Sequence, residues 1–249
     1  MNETINLLMK HRTIRKFTKD KIRDEDLKMM LEASNRAPSA NGLQKYSIIH
    51  VTDKNIKDKL SQIGKQSYMK DATELFIFIA DLFRNAQIAK EKGENESLFT
   101  SFEMLFQSIG DSYIACQNLV VAAESLGYGT NYFGNIFNDI DKVIEILKLP
   151  KLTFPVIALG IGIIDQNPQV KPRMNLENKV FDNSYKIYDD YLETFKEYDN
   201  IMQTYYDLRD ANRRVDSYTN QVITQAKKSF IERKDILKSI EKQGFILSK

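Results

Sequence analysis

Two short runs concentrate cationic side chains: HRTIRKF, from His11 to Phe17, and VKPR, in which Lys171 and Arg173 flank Pro172. Arg12 and Arg15 stand three apart, so on a helix or a turn they share a face and offer two planar donor forks to one phosphate. Thr13 lies between them and adds a hydroxyl. In VKPR the proline fixes the backbone and with it the spread of the two cations. A solvated basic face is the plain alternative for either run. A Ser/Asn/Gly loop and a Gln-bearing segment fall between the two clusters, and together the four suit a phosphorylated aromatic cofactor.

Other chemistry is poorly supplied. There is no GxxxxGK[ST] phosphate loop and no HExxH. Gly160-Ile-Gly162 starts like a dinucleotide fingerprint, but Asp165 stands where the third glycine belongs, so small residues at a crowded strand end are the better reading. One cysteine and two histidines make zinc chemistry unexpected. His50 is expected to be a strand histidine facing a polar neighbour. Cys116 lies in an apolar helix, where burial raises a thiol's pKa and makes it core filler rather than a nucleophile.

These residues need elements to position them. Asp24, Glu25 and Asp26 open an amphipathic segment with Leu27, Met30 and Leu31 on one side, ending near APSANG. The loop Ala37 to Gly42 follows, then apolar strands at YSIIHVTD, LFIFIAD, GTNYFGN and FPVIALGIG. Helical patterns separate the strands, which on pattern alone implies α/β. The strongest helix signal runs from about Leu98 to Leu126, with Gly127 as its left-handed cap. No formal charge falls between Asp111 and Glu124. A helix so apolar is expected to be buried all round, by its own core and by a partner subunit. From Lys171 onward charges and tyrosines mix, then NRRVDSYTNQ, then a tail ending KQGFIL. No Pro/Gly/Ser-rich linker precedes this, so it reads as a helical extension of one domain spanning 1–249.

Composition bounds the rest. The chain has 249 residues, 42% of them hydrophobic, and 36 basic against 34 acidic residues leave a net charge of +2. That balance gives no case for nucleic acid or an anionic membrane as main partner, so any anion site must be local. The longest apolar run, FPVIALGIGII, falls short of the roughly 20 residues of a membrane helix. MNETINLLMKHR carries polar residues where a signal peptide has its apolar stretch, and the expected location is the cytoplasm.

HRTIRKF, APSANGLQKYSII, NYFGN after the long helix and VKPR after FPVIALGIG resemble, in that order, the nitroreductase family of FMN enzymes. YYDLRDANRRVDSY and the ending KQGF resemble its branch of oxygen-insensitive NADPH nitroreductases and NADPH-dependent flavin reductases. The resemblance implies an α+β fold with a mainly antiparallel central sheet flanked by helices, a long buried central helix, a helical C-terminal extension and an intertwined homodimer with FMN between subunits. It also implies hydride transfer from NADPH, or NADH, through FMN to nitroaromatics, quinones or free flavin by a ping-pong scheme. The alternatives on the same fold are a flavin-sequestering or partner-binding protein, and a dedicated flavin reductase or small-molecule disulfide reductase.

Carried over residue by residue, the resemblance places His11, Arg12, Thr13 and Arg15 at the FMN phosphate and ribityl chain, and leaves Lys16 as a solvated neighbour. Ser39, Asn41 and Gln44 match the loop over the flavin of the other subunit, with Ala40 and Gly42 replacing the usual Ser and Phe. Gln66 matches a flavin contact. Tyr132, Phe133, Gly134 and Asn135 match the segment whose backbone amides face the isoalloxazine, with Asn135 in place of a common glycine. Lys171 and Arg173 match the second phosphate-side cluster, Lys171 also as electrostatic support near the flavin N1/O2 edge; no side chain is expected as catalytic acid or base. Arg209, Arg213 and Arg214 match the segment that takes the extra phosphate of NADPH, among Asp207, Asp210 and Asp216.

Overall fold

The structure, a computed structural model, describes residues 2–207, 213–227 and 235–247. It divides into two compact units, Met1–Gln166 with Glu232–Lys249, and Asn167–Ile231.

The first unit is built on a four-stranded sheet of β1 (Tyr46–His50), β2 (Glu74–Asp81), β3 (Gly129–Phe133) and β4 (Thr153–Gly162), in the order β1-β2-β4-β3. Every pairing is antiparallel. Helices follow the strands in sequence as the patterning predicts, but the implied parallel α/β sheet is absent. The register of β2 on β4 shifts between Phe78 and Ile79, opposite Pro155. A proline lacks the ladder donor, and an interior strand accommodates it at such an irregularity.

Both faces of the sheet are covered. On one, Phe76, Phe78, Leu159 and Ile161 pack with α2 (Asp24–Asn35) and α5 (Phe102–Ser125). On the other, Leu75, Ile77, Ala158 and Phe133 form a second core with α3 (Lys54–Gly64) and α6 (Ile140–Ile146). The unit is completed by α1 (Glu3–Met9), α4 (Phe83–Glu91) and the C-terminal α9 (Ile236–Lys242). After α9, Gly244 turns at φ +91 and Phe245 is buried, so the KQGF ending docks on this core.

Local chemistry explains the helix ends. Asp53 caps α3 by accepting from the amides of Asn55 and Ile56 at 2.7 and 3.1 Å. Ser101 caps α5 by accepting from the Met104 amide. At the other end Gly127 sits at φ +86, its amide donating to Glu124 O and the Tyr128 amide to Ala123 O. That is the Schellman arrangement expected of a glycine just past a helix. The inner face of α5 is buried, but Phe102, Phe106, Tyr113 and Ile114 on its outer side are exposed. Within one chain, then, the helix is not buried all round.

The second unit packs α7 (Tyr191–Met202) against α8 (Tyr218–Ala226) through aromatic rings, Phe195 and Tyr198 lying 5.5 and 5.4 Å from Tyr218. It also holds a two-stranded ribbon, β5 (Tyr206–Asp207) with β6 (Arg213–Arg214), where only helix was expected. No helix among the described residues is long and apolar enough to cross a membrane.

Candidate functional site

The cationic run after α1 is neither helix nor turn, so a helical face is not what presents Arg12 and Arg15. The chain lies extended against the end of the sheet: the Ile14 amide donates to Thr130 O at 2.9 Å and the Thr18 amide to Ile163 O at 2.9 Å. Ile14 and Phe17 are buried anchors. They fit because Gly129 and Gly162, paired across β3 and β4, have no side chain. A Cβ on Gly129 would lie 2.8 Å from Ile14, and one on Gly162 would lie 2.6 Å from the Phe17 ring. Arg12, Thr13 and Arg15 are partly buried, whereas Lys16 is exposed, as its assignment to solvent anticipated. His11 Nδ1 meets Glu124 Oε1 at 2.8 Å, and the Thr130 hydroxyl donates to the same oxygen at 2.6 Å. Glu124 therefore orients the imidazole, a role no motif announced.

Ser39 to Gln44 forms a tight loop with a 3-10 turn at Ala40–Gly42. Asn41, Gly42 and Gln44 all take left-handed φ values, 57, 68 and 47. The Ser39 hydroxyl accepts from the Gln44 amide at 3.2 Å, and Arg84 donates to the carbonyls of Gln44 and Tyr46. The underside of the loop rests on Lys45 and Asp111, neither of which the motifs marked.

At the end of β3 the side chains alternate between faces. Tyr132 turns toward α5, where its hydroxyl donates to Gln117 Oε1 at 2.8 Å; burial, with Cys116 beside it, pushes the phenol pKa up. Burial likewise raises the Cys116 thiol, as expected of core filler. Phe133 enters the second core, 5.8 Å from the Tyr68 ring. Gly134 is exposed, with open space where a side chain would be. Gln66 and Asn135 converge over Gly64, where an added Cβ would lie 3.8 Å from each. The Gln66 amide nitrogen donates to the Tyr68 hydroxyl at 2.5 Å, while its Oε1 is buried without a hydrogen-bond partner. Asn131 Nδ2 is also buried and unpartnered, one strand position from the Tyr132–Asn135 segment. A buried acceptor and donor left unsatisfied fit a polar ligand edge. Gly160, opposite Asn131, is crowded as its sequence setting suggested: a Cβ there would lie 2.8 Å from the Phe133 ring and 2.9 Å from Ala72. His50 has its polar neighbour in Glu74.

The remaining expected residues lie in the second unit. Lys171 and Arg173 are exposed, and Arg173 Nη1 donates to the carbonyls of Lys171 and Pro172 at 2.9 and 3.2 Å. Arg213 and Arg214 form β6, paired with Asp207 and Tyr206. Arg209 lies outside the described residues.

A family model described as the nitroreductase family matches residues 8–163, and one for its C-terminal domain matches 171–248. The chain is similar to an NADPH-dependent oxidoreductase of Staphylococcus saprophyticus, 37% identical over 245 residues and 97% of both chains. It is also similar to an FMN reductase (NADPH) of Bacillus subtilis, 35% identical over 226 residues, covering 90% of this chain and 91% of that one. Among solved structures, NfrA1 nitroreductase from B. subtilis superimposes with a TM-score of 0.89 at 32% identity, over 98% of this chain and 99% of the other.

Proposed function

The chain belongs to the nitroreductase family and is an NAD(P)H-dependent FMN oxidoreductase; we propose that it passes hydride from NADPH to nitroaromatics, quinones or free flavin by a ping-pong scheme. FMN, when bound, supplies the hydride-accepting ring that donor and acceptor visit in turn. The observation that carries this reading is the buried, unpartnered Gln66 Oε1, which converges with Asn135 over Gly64, Asn135 following the exposed Gly134 in the chain.

Arg12 and Arg15, with the Thr13 hydroxyl, hold the phosphate, since a guanidinium matches a phosphate with two parallel bonds. His11, oriented by Glu124, supports that end. Gln66, Gly134 and Asn135 meet the ring edge, and Ser39, Asn41 and Gln44 serve the flavin of a second copy. The roles of Lys171 and Arg173 at the phosphate side of FMN, and of Arg209, Arg213 and Arg214 at the extra phosphate of NADPH, rest on the family resemblance. The protein works as a homodimer in the cytoplasm; the exposed Phe102, Phe106, Tyr113 and Ile114 on α5 support a covered face.

The test is anaerobic. Purified protein should be yellow, or take up FMN, and its bound flavin should bleach on mixing with NADPH and recover its colour with a quinone or nitroaromatic. Initial rates should give parallel double-reciprocal lines. A protein that takes up no FMN overturns the site, and intersecting lines overturn the ping-pong scheme.

A further inference from the structure

Lys45 is wholly buried and Asp111 is 3% exposed, and a lysine is almost never buried unless it is paired. The pair is nonetheless loose. Lys45 Nζ stands 3.8 Å from Asp111 Oδ2, too far for a hydrogen bond, and that oxygen makes none. A salt bridge built for its own sake would close to the 2.7–2.9 Å typical of charged donors and acceptors. Instead both side chains spend a bond on one residue between them. Asp111 Oδ1 accepts from the Ala40 amide at 2.9 Å, and Lys45 Nζ donates to the Ala40 carbonyl at 2.9 Å. One turn earlier on α5, the Ser108 hydroxyl donates to the Lys45 carbonyl.

We infer that Lys45 and Asp111 are positioning residues that clamp Ala40 so as to hold the 39–44 loop in its cofactor-facing shape; this rests on the reading that the loop serves FMN. Asn41 and Gln44 both sit at positive φ without being glycine, a conformation that persists where the surroundings over-determine it. Ala40 is the residue immediately before Asn41, and gripping both its amide and its carbonyl leaves the chain little choice of entry. The helix that supplies Asp111 and Ser108 is also the one whose outer face carries the exposed apolar side chains. The loop is thereby tied to the element proposed to seat the second copy.

Lys45→Met/Asp111→Asn in the full-length protein removes both charges together. It keeps an amide acceptor for the Ala40 N–H and strips the Ala40 carbonyl of its donor. Deuterium exchange at the amides of Ala40, Gly42, Leu43 and Gln44 is expected to speed up, and the FMN Kd to weaken by about tenfold, with the melting temperature near that of the parent. A change in melting temperature with exchange and Kd unmoved overturns the proposal. Asn41→Gly separates the two layers: it removes the side chain at a φ of 57 that glycine adopts without strain, and should weaken FMN with the clamp intact. If it leaves the Kd unchanged, the loop reading is what fails; if it weakens FMN while the double variant does not, the clamp is what fails. Should the double variant not fold, Ser108→Ala reads the same coupling with both charges in place. Faster exchange and weaker FMN support the clamp, and no change in either overturns it.

Discussion

The cationic run and the 39–44 loop are both proposed to present polar residues to FMN, the run to this chain's own and the loop to that of a second copy, yet they are fastened by opposite means. The run is anchored by apolar side chains and by absence: Ile14 and Phe17 settle where Gly129 and Gly162 leave room, and backbone bonds to Thr130 and Ile163 set its path. The loop is fastened by charge, through Lys45, Asp111 and Arg84 acting on its backbone groups. Apolar anchoring does not depend on protonation but is intolerant of added volume, whereas a buried charge tolerates the loss of its partner least.

The difference is sharpest for Asp111→Ala. With its carboxylate gone, Lys45 remains wholly buried without its counter-charge, and removing one member of a buried pair costs about 3–5 kcal/mol. Urea unfolding should show that loss, and a loss under about 1 kcal/mol would mean that water reaches Lys45 as soon as the pair is broken. On the other region, Arg15→Ala should weaken FMN binding by about 1.5–3 kcal/mol, the range for a charge-assisted phosphate contact, and by more than Lys16→Ala. Equal losses in a flavin titration would reduce the run to a basic surface. Gly162→Ala should destabilise by roughly 1–3 kcal/mol through overpacking, because its Cβ would lie 2.6 Å from the Phe17 ring. Adding Phe17→Ala should then cost less than it does alone, a non-additivity that a double-mutant cycle reads directly.

Much of this was open to reading from the chain. The Asp-rich start of α2, the Gly127 end of α5 and the four apolar strands carry local signals, and Lys16 separates from its neighbours as expected. Antiparallel pairing does not. Because both faces of the sheet are covered, β2 and β4 read as continuous apolar runs, the pattern usual for parallel strands. The family resemblance, not the periodicity, supplied the pairing. Gly129 and Gly162 look like ordinary strand glycines until Ile14 and Phe17 are laid over them, a tertiary matter. Lys45 and Asp111 are far apart in sequence, so nothing local marks them as partners. The β5–β6 ribbon is two residues deep on each side, too short for any period to register.

A third fastening completes the comparison and gives the smallest expected effect. Arg23 Nε and Nη2 donate to Asp26 at 2.8 and 2.9 Å, and the Tyr128 hydroxyl donates to Asp26 Oδ2. Tyr128 follows the Gly127 cap and immediately precedes β3, so this network ties the start of α2 to the strand on which the cationic run lies. The bond from Arg23, then that from Tyr128, holds the Asp26 carboxyl below its ordinary pKa. A carboxyl whose folded pKa is depressed contributes stability that is present above the unfolded value, about 4, and is lost as pH falls through the folded value. Unfolding midpoints should therefore drop in acid, and Asp26→Asn should flatten that limb while lowering the neutral midpoint slightly, since the Arg23 guanidinium is largely exposed and solvent screens it. Because the loop is held instead by Asp111 on α5 and by Lys45 just ahead of β1, exchange at the 39–44 amides should stay unchanged in Asp26→Asn; faster exchange there would show that the two regions share one support.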